Sequence, residues 1–125
     1  MGHLLKVRIR EAATSDINPF WNFFVKSIKT QFPEYSLKAK NYFLQEHYTK
    51  ENFKKWLKRK EKTLLIALNK KEIIGYLLAS PPYGGVAFII WLAVKTTFQK
   101  KGVGNHLLKS YEIIAKKQKA HKVYL

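Results

Sequence analysis

Between Leu4 and Ile9, apolar Leu5, Val7 and Ile9 alternate with charged Lys6, Arg8 and Arg10. A period of two sends successive side chains to opposite faces, so this stretch predicts a half-buried strand. The period then changes. Thr14, Ser15 and Asp16 are residues that cap helix starts, and Pro19 suits a first turn. Ile17, Phe20, Trp21, Phe24, Val25 and Ile28 follow at helical spacing and predict an amphipathic helix that ends before Pro33. A second helical stretch is predicted over Leu37 to His47. Thr49 caps a third, with Phe53, Trp56 and Leu57 on one face and Lys54, Lys55, Lys58 and Arg59 around the rest.

From Thr63 the texture is that of strands. Thr63 to Leu68 and Glu72 to Ser80 flank a tight turn at Asn69-Lys70-Lys71, and Pro81-Pro82-Tyr83-Gly84-Gly85 is a stronger turn. Val86 to Val94 is apolar at every position, which fits a central strand covered on both faces. After Thr96 to Gln99 and the glycines Gly102 and Gly104, the residues Val103, Leu107, Leu108, Tyr111, Ile114 and Ala115 share one arc of a helix. His106, Lys109, Lys116 and Lys117 lie opposite. Lys122 to Leu125 opens another strand. The order is strand, helices, a three-strand meander, helix, strand, which predicts an α/β or α+β fold: an open mixed sheet flanked by helices, in a single domain over residues 1–125.

Composition narrows the chemistry. The 125 residues are 46% hydrophobic and 14% aromatic, enough apolar material for a packed core. There is no cysteine, which excludes disulfides, a thiolate nucleophile and sulfur-ligated metal. His3, His47, His106 and His121 show no metal-ligand spacing, so no metal site is expected. The apolar run Val86 to Val94 is about half the ~20 residues a membrane-spanning helix needs. The charges at Lys6, Arg8 and Arg10 argue against a signal peptide, so a cytoplasmic protein with no membrane partner is expected. Twenty-four Lys and Arg against eight Asp and Glu give a net charge of +16, spread along the chain. Such a field draws anions, and on charge alone nucleic acid stands as a less favoured partner. The Lys54 to Lys62 cluster reads as a solvated helix face or as a docking face for RNA or an acidic substrate. Phe20, Trp21, Phe23 and Phe24 read as core residues in preference to a base-stacking platform.

The segment with the most chemistry is Gln99-Lys100-Lys101-Gly102-Val103-Gly104, between the apolar strand and the following helix. A helix's first turn leaves backbone N–H groups unpaired at the positive end of its dipole. Glycine lets a phosphate approach that backbone, and Lys100, Lys101 and Lys109 add charge. The same glycines could serve only to make a tight turn. A third glycine and the downstream acidic residue of a dinucleotide fold are missing, and so is the Gly-Lys-Ser/Thr of a Walker loop.

The run from Trp91 through Leu108 resembles the acetyl-coenzyme A signature of the GNAT family of N-acetyltransferases, Arg/Gln-x-x-Gly-x-Gly/Ala after a strand ending in an apolar triplet. The first strand with Arg10-Glu11-Ala12 to Asp16, the helices, and the Ile73-Ile74-Gly75-Tyr76 strand agree with it. The resemblance implies that Leu92, Ala93 and Val94 hold the pantetheine arm of coenzyme A through main-chain groups. It implies that Lys100, Lys101, Gly102, Val103, Gly104 and Asn105 wrap the pyrophosphate, with Gln99 shaping the loop. The fourth strand is expected to bulge and splay from the fifth, and an N–H near Leu92 to stabilise the oxyanion. The implied reaction is direct attack of a neutral primary amine on acetyl-CoA. The acceptor would be a small amine or a protein N-terminus, and the signature lies nearest the branch acting on N-termini.

Two departures bear on catalysis. No Asp or Glu occurs between Ile73 and Tyr111 to take the amine's proton, and Glu34 and Tyr35 are the candidates elsewhere, each also readable as an ordinary surface or packing residue. The chain ends at Leu125 inside the expected fifth strand, so the usual C-terminal helix with its tyrosine acid and the closing strands are expected to be lacking. Tyr124 reads as a packing residue. An open sheet edge of this kind pairs readily with another chain, so either a truncated sequence or a homo-oligomer covering that edge is expected. Catalytic residues stay unassigned, and a catalytically impaired coenzyme A-binding or nucleic-acid-associated protein that keeps the fold is the alternative to a working enzyme.

Overall fold

A computed structural model describes residues 6–125; Leu4, Leu5 and His3 lie outside them. The strands are β1 (Val7–Glu11), β2 (Thr63–Asn69), β3 (Glu72–Ala79), β4 (Val86–Val94) and β5 (Lys122–Tyr124). The helices are α1 (Ile17–Gln31), α2 (Leu37–Tyr42), α3 (Lys50–Arg59) and α4 (Val103–Lys117). The chain forms two compact units: Ala12–Glu61, which is helical, and the described part of Met1–Glu11 with Lys62–Leu125, which holds the sheet and α4.

The sheet runs β1-β2-β3-β4-β5. The first four strands are antiparallel and β5 is parallel to β4, which makes the sheet mixed, as the element order predicts. β1 and β2 pair from Val7↔Asn69 to Glu11↔Leu65, although the helical unit separates them in sequence. One face packs on α4. Leu65, Ala67, Leu77, Ala79, Ala87 and Ile89 form its core with Val103, Leu107, Tyr111 and Ala115, the arc that the helical spacing predicts. On the other face Leu64, Ile66, Tyr76, Leu78 and Trp91 are buried as well. β4 departs from the expectation of cover on both sides: Phe88 is 50% exposed, shielded by its stack on Tyr124 at 5.7 Å.

In the helical unit the side chains at helical spacing meet as an aromatic cluster. Phe53 packs edge-on against Phe20 at 4.9 Å, Phe24 at 5.2 Å and Trp56 at 5.2 Å. Phe20 and Phe24 are fully buried, the core role expected of them. The stretch expected as one helix from Leu37 to His47 is α2 followed by a π-turn over Phe43–His47. That wider turn closes with the Tyr48 N–H donating to the Phe43 carbonyl at 2.6 Å and sets the Tyr48 ring against Phe24. α3 begins as predicted: the Thr49 hydroxyl accepts from the Asn52 N–H at 3.1 Å. Thr49→Ala removes that acceptor and is expected to lower unfolding free energy by about 1 kcal/mol. Urea denaturation measures it, and an unchanged midpoint would show that the cap contributes nothing.

Candidate functional site

Strand register decides which main-chain groups of β4 are available. The Lys95 N–H donates to the Ile74 carbonyl at 2.7 Å, so Lys95 and Ile74 are a hydrogen-bonded pair. In an antiparallel ladder such pairs alternate with pairs whose N–H and C=O groups point away from the partner strand. With Gly75 opposite Val94, Tyr76 opposite Ala93 and Leu77 opposite Leu92, the ladder turns Ala93 toward β3 and turns Leu92 and Val94 to the outer edge. That edge is open there, because β5 pairs with β4 only at Val86, Ala87 and Phe88. Of the triplet Leu92, Ala93 and Val94, the first and last offer main-chain groups outward, and Ala93 offers none. The side chains of Leu92 and Val94 pack against the α4-side core.

The register shifts between Leu78 and Ala79, so that Trp91 faces Leu78 and Ile89 faces Ala79. Ile90 is thus an extra residue, a β-bulge of the kind that re-aims a strand. The fourth strand bulges, as the resemblance implies.

After Val94 a single 3-10 turn, Thr96–Phe98, leads to the loop. The Gln99 Nε2 donates back to the Val94 carbonyl at 2.9 Å. Lys100 and Gly102 both take left-handed backbone, with φ of 61° and 85°. Gly102 caps α4 with no side-chain hydrogen bond, and its carbonyl accepts from the His106 N–H at 2.9 Å. The N–H groups of Val103, Gly104 and Asn105 have no intrahelical acceptor. Lys100 and Lys101 are exposed beside them, and the Lys101 ammonium lies 5.7 Å from the Phe98 ring centre. A β-carbon at Gly104 would touch only Val94, at 3.8 Å, so the surface over the first turn is open. Amide donors, a helix N-terminus and two lysines suit a pyrophosphate, and Leu92 suits an amide-bearing arm laid along the strand. The residues present therefore fit coenzyme A.

Tyr35 packs edge-on against Phe43 at 5.3 Å, and Glu34 is exposed in the turn after α1. Tyr124 stacks on Phe88. The pairing also shows a carboxylate that the sequence window missed: Glu72, one residue before the acid-free stretch, forms an ion pair with Lys95 just past β4. Only the β3–β4 register could have placed it. Among the described residues no group of three or more His, Cys, Asp or Glu could hold a metal ion. None of their helices is long and apolar enough to cross a membrane.

Tyr111 of α4 is fully buried, with its hydroxyl 3.5 Å from the Ser80 carbonyl. Burial raises its pKa above the ordinary value of 10.0. The folded state therefore holds this proton more tightly than the unfolded chain. Its stabilising share is complete below pH 10 and is lost as pH rises through the folded-state pKa. Thermal melts between pH 8 and 11.5 are expected to show a steeper loss for the wild type than for Tyr111→Phe, and parallel curves would contradict this.

With this geometry in place, the family follows. The Acetyltransferase (GNAT) family model matches residues 21–125, and the chain belongs to that family. Comparison with curated proteins finds no match. Among solved structures it is similar to the PaiA N-acetyltransferase of Thermoplasma acidophilum in complex with coenzyme A. That match has a TM-score of 0.81 and 22% identity, over 92% of this chain and 75% of that one. An aminoglycoside acetyltransferase from an uncultured soil metagenomic sample, in complex with sisomicin, matches with a TM-score of 0.69 and 20% identity, over 95% and 76%. A ribosomal-protein-alanine N-acetyltransferase from Brucella melitensis biovar Abortus matches with a TM-score of 0.71 and 13% identity, over 96% and 79%. These likenesses establish a shared fold.

Proposed function

We propose that this chain is an acetyl-CoA-dependent N-acetyltransferase whose cofactor lies along the outer edge of β4 and over the first turn of α4. One observation carries the reading: the outward-turned Leu92 and the unpaired amides of Val103, Gly104 and Asn105 occur in one strand–turn–helix with its edge open. The first-turn amides, with Lys100 and Lys101, bind the pyrophosphate. The C=O of Leu92 accepts from the pantetheine arm, and the Leu92 N–H is the donor placed to stabilise negative charge on the acetyl carbonyl oxygen. Bound acetyl-CoA supplies an acetyl thioester open to attack by a primary amine, with departure of the thiol. The acceptor is a primary amine, on a small molecule or a protein N-terminus. Likeness to an aminoglycoside acetyltransferase supports the first class, and likeness to a ribosomal-protein-alanine N-acetyltransferase supports a protein acceptor.

The test is calorimetric titration with acetyl-CoA at moderate salt, with ATP and a short RNA as controls. Saturable one-site binding confined to acetyl-CoA is the expected result. RNA binding that weakens steeply with salt, without acetyl-CoA binding, would overturn the reading and assign the +16 charge to phosphate contacts.

A further inference from the structure

We infer that Gln99 sets the register in which the pantetheine arm pairs with β4; the inference rests on the cofactor site proposed above. The outer edge of an antiparallel strand repeats every second residue, about 7 Å along the chain. An extended arm bearing amides therefore has two equivalent places to pair, at Leu92 or at Val94, since both turn their main-chain groups outward. The Gln99 amide removes the equivalence. Its Nε2 occupies the Val94 carbonyl at 2.9 Å, so Leu92 is left as the residue of the pair that presents both a donor and a free acceptor. An arm that slipped to Val94 would have to share its acceptor with Gln99 and find room beside that side chain. Gln99 also directly precedes the left-handed Lys100 and the α4 cap, so one residue ties the position of the arm to the phosphate cradle. Its role is positioning. It holds the arm where the Leu92 N–H, and not the Val94 N–H, meets the group at the arm's end.

The experiment follows the backbone amides of Leu92 and Val94 by NMR in isotope-labelled protein titrated with coenzyme A, and with 3′-phospho-ADP, which lacks the arm. In the wild type, coenzyme A is expected to shift the Leu92 amide strongly and Val94 at most a third as much, whereas 3′-phospho-ADP shifts neither. Gln99 is exposed, so substitution leaves the core untouched. Gln99→Met keeps the length and removes the donor. It is expected to shift both amides comparably on coenzyme A binding, with 3′-phospho-ADP affinity within about threefold of wild type. Gln99→Arg restores a donor and is expected to restore the Leu92-dominated pattern. A Leu92-dominated pattern in Gln99→Met would overturn the inference. So would equal losses of affinity for both ligands, which would make Gln99 a residue of the phosphate loop alone. A wild type that binds 3′-phospho-ADP and coenzyme A without moving either amide overturns the inference and leaves the phosphate site standing. A wild type that binds neither ligand overturns the proposed function itself.

Discussion

Gly104→Glu is expected to abolish coenzyme A binding while making the protein slightly more stable. The side chain would project from the first turn of α4 over the amides proposed to hold the pyrophosphate, placing a carboxylate where its oxygens would lie. Loss of more than 100-fold in affinity, about 3 kcal/mol, is the expected scale. Stability moves the other way for three reasons. A β-carbon at this position meets nothing closer than Val94 at 3.8 Å, so no strain arises. Replacing a helical glycine contributes roughly 0.5–1 kcal/mol. An acidic group in a first turn complements the helix dipole by about 0.3–1 kcal/mol. Titration calorimetry and a thermal melt on one preparation check both halves. Normal coenzyme A binding by this variant would place the cofactor elsewhere, whereas loss of fold would show that Gly104 is needed for packing. Gly104→Ala is the control, expected to gain stability and keep measurable binding.

Gly85→Ala is expected to be the most damaging small substitution at the β4–β5 end of the sheet. Gly85 has φ of 78°, and a methyl there would overlap the His121 imidazole. The backbone here is fixed, because the Gly85 carbonyl accepts from the His121 N–H at 2.7 Å and from the Lys122 N–H at 3.3 Å, leading directly into β5. Left-handed backbone costs a residue with a β-carbon about 1–2 kcal/mol, and the exposed imidazole must turn aside, which adds a smaller steric share. A fall of roughly 5 °C in Tm follows for a chain of this size. The double variant Gly85→Ala with His121→Ala separates the two causes. It should recover the steric share and retain the backbone share, visible as a coupling energy in the mutant cycle. If removing the imidazole recovers nothing, the backbone conformation alone accounts for the loss.

Both predictions concern glycines that the sequence marks, yet the sequence explains only one of them. Gly104 lies in a strand–turn–helix contiguous in the chain, so its place in the first turn of a helix was legible from Gln99 to Asn105. Gly85 sat in an evident turn, but its partner His121 is 36 positions away and nothing in the local pattern joins them. Glu72 is similar: it lies one residue outside the acid-free stretch and meets Lys95 only because β3 and β4 pair as they do.

The sequence by itself determined most of the elements, the face each long helix buries and the glycine turn that leads into α4. Side-chain periodicity and capping act between residues a few positions apart, as Thr49 and Asn52 show. Ala93 and Leu92 are equally apolar neighbours in one run, and only pairing with Tyr76 and Leu77 turns the first inward and the second to the open edge. Register, the bulge at Ile90 and the direction of each main-chain hydrogen bond were decided by the tertiary structure. Hydrophobic burial, which the pattern records, is non-directional. Hydrogen bonds between strands are directional, and their partners are brought together only by the fold.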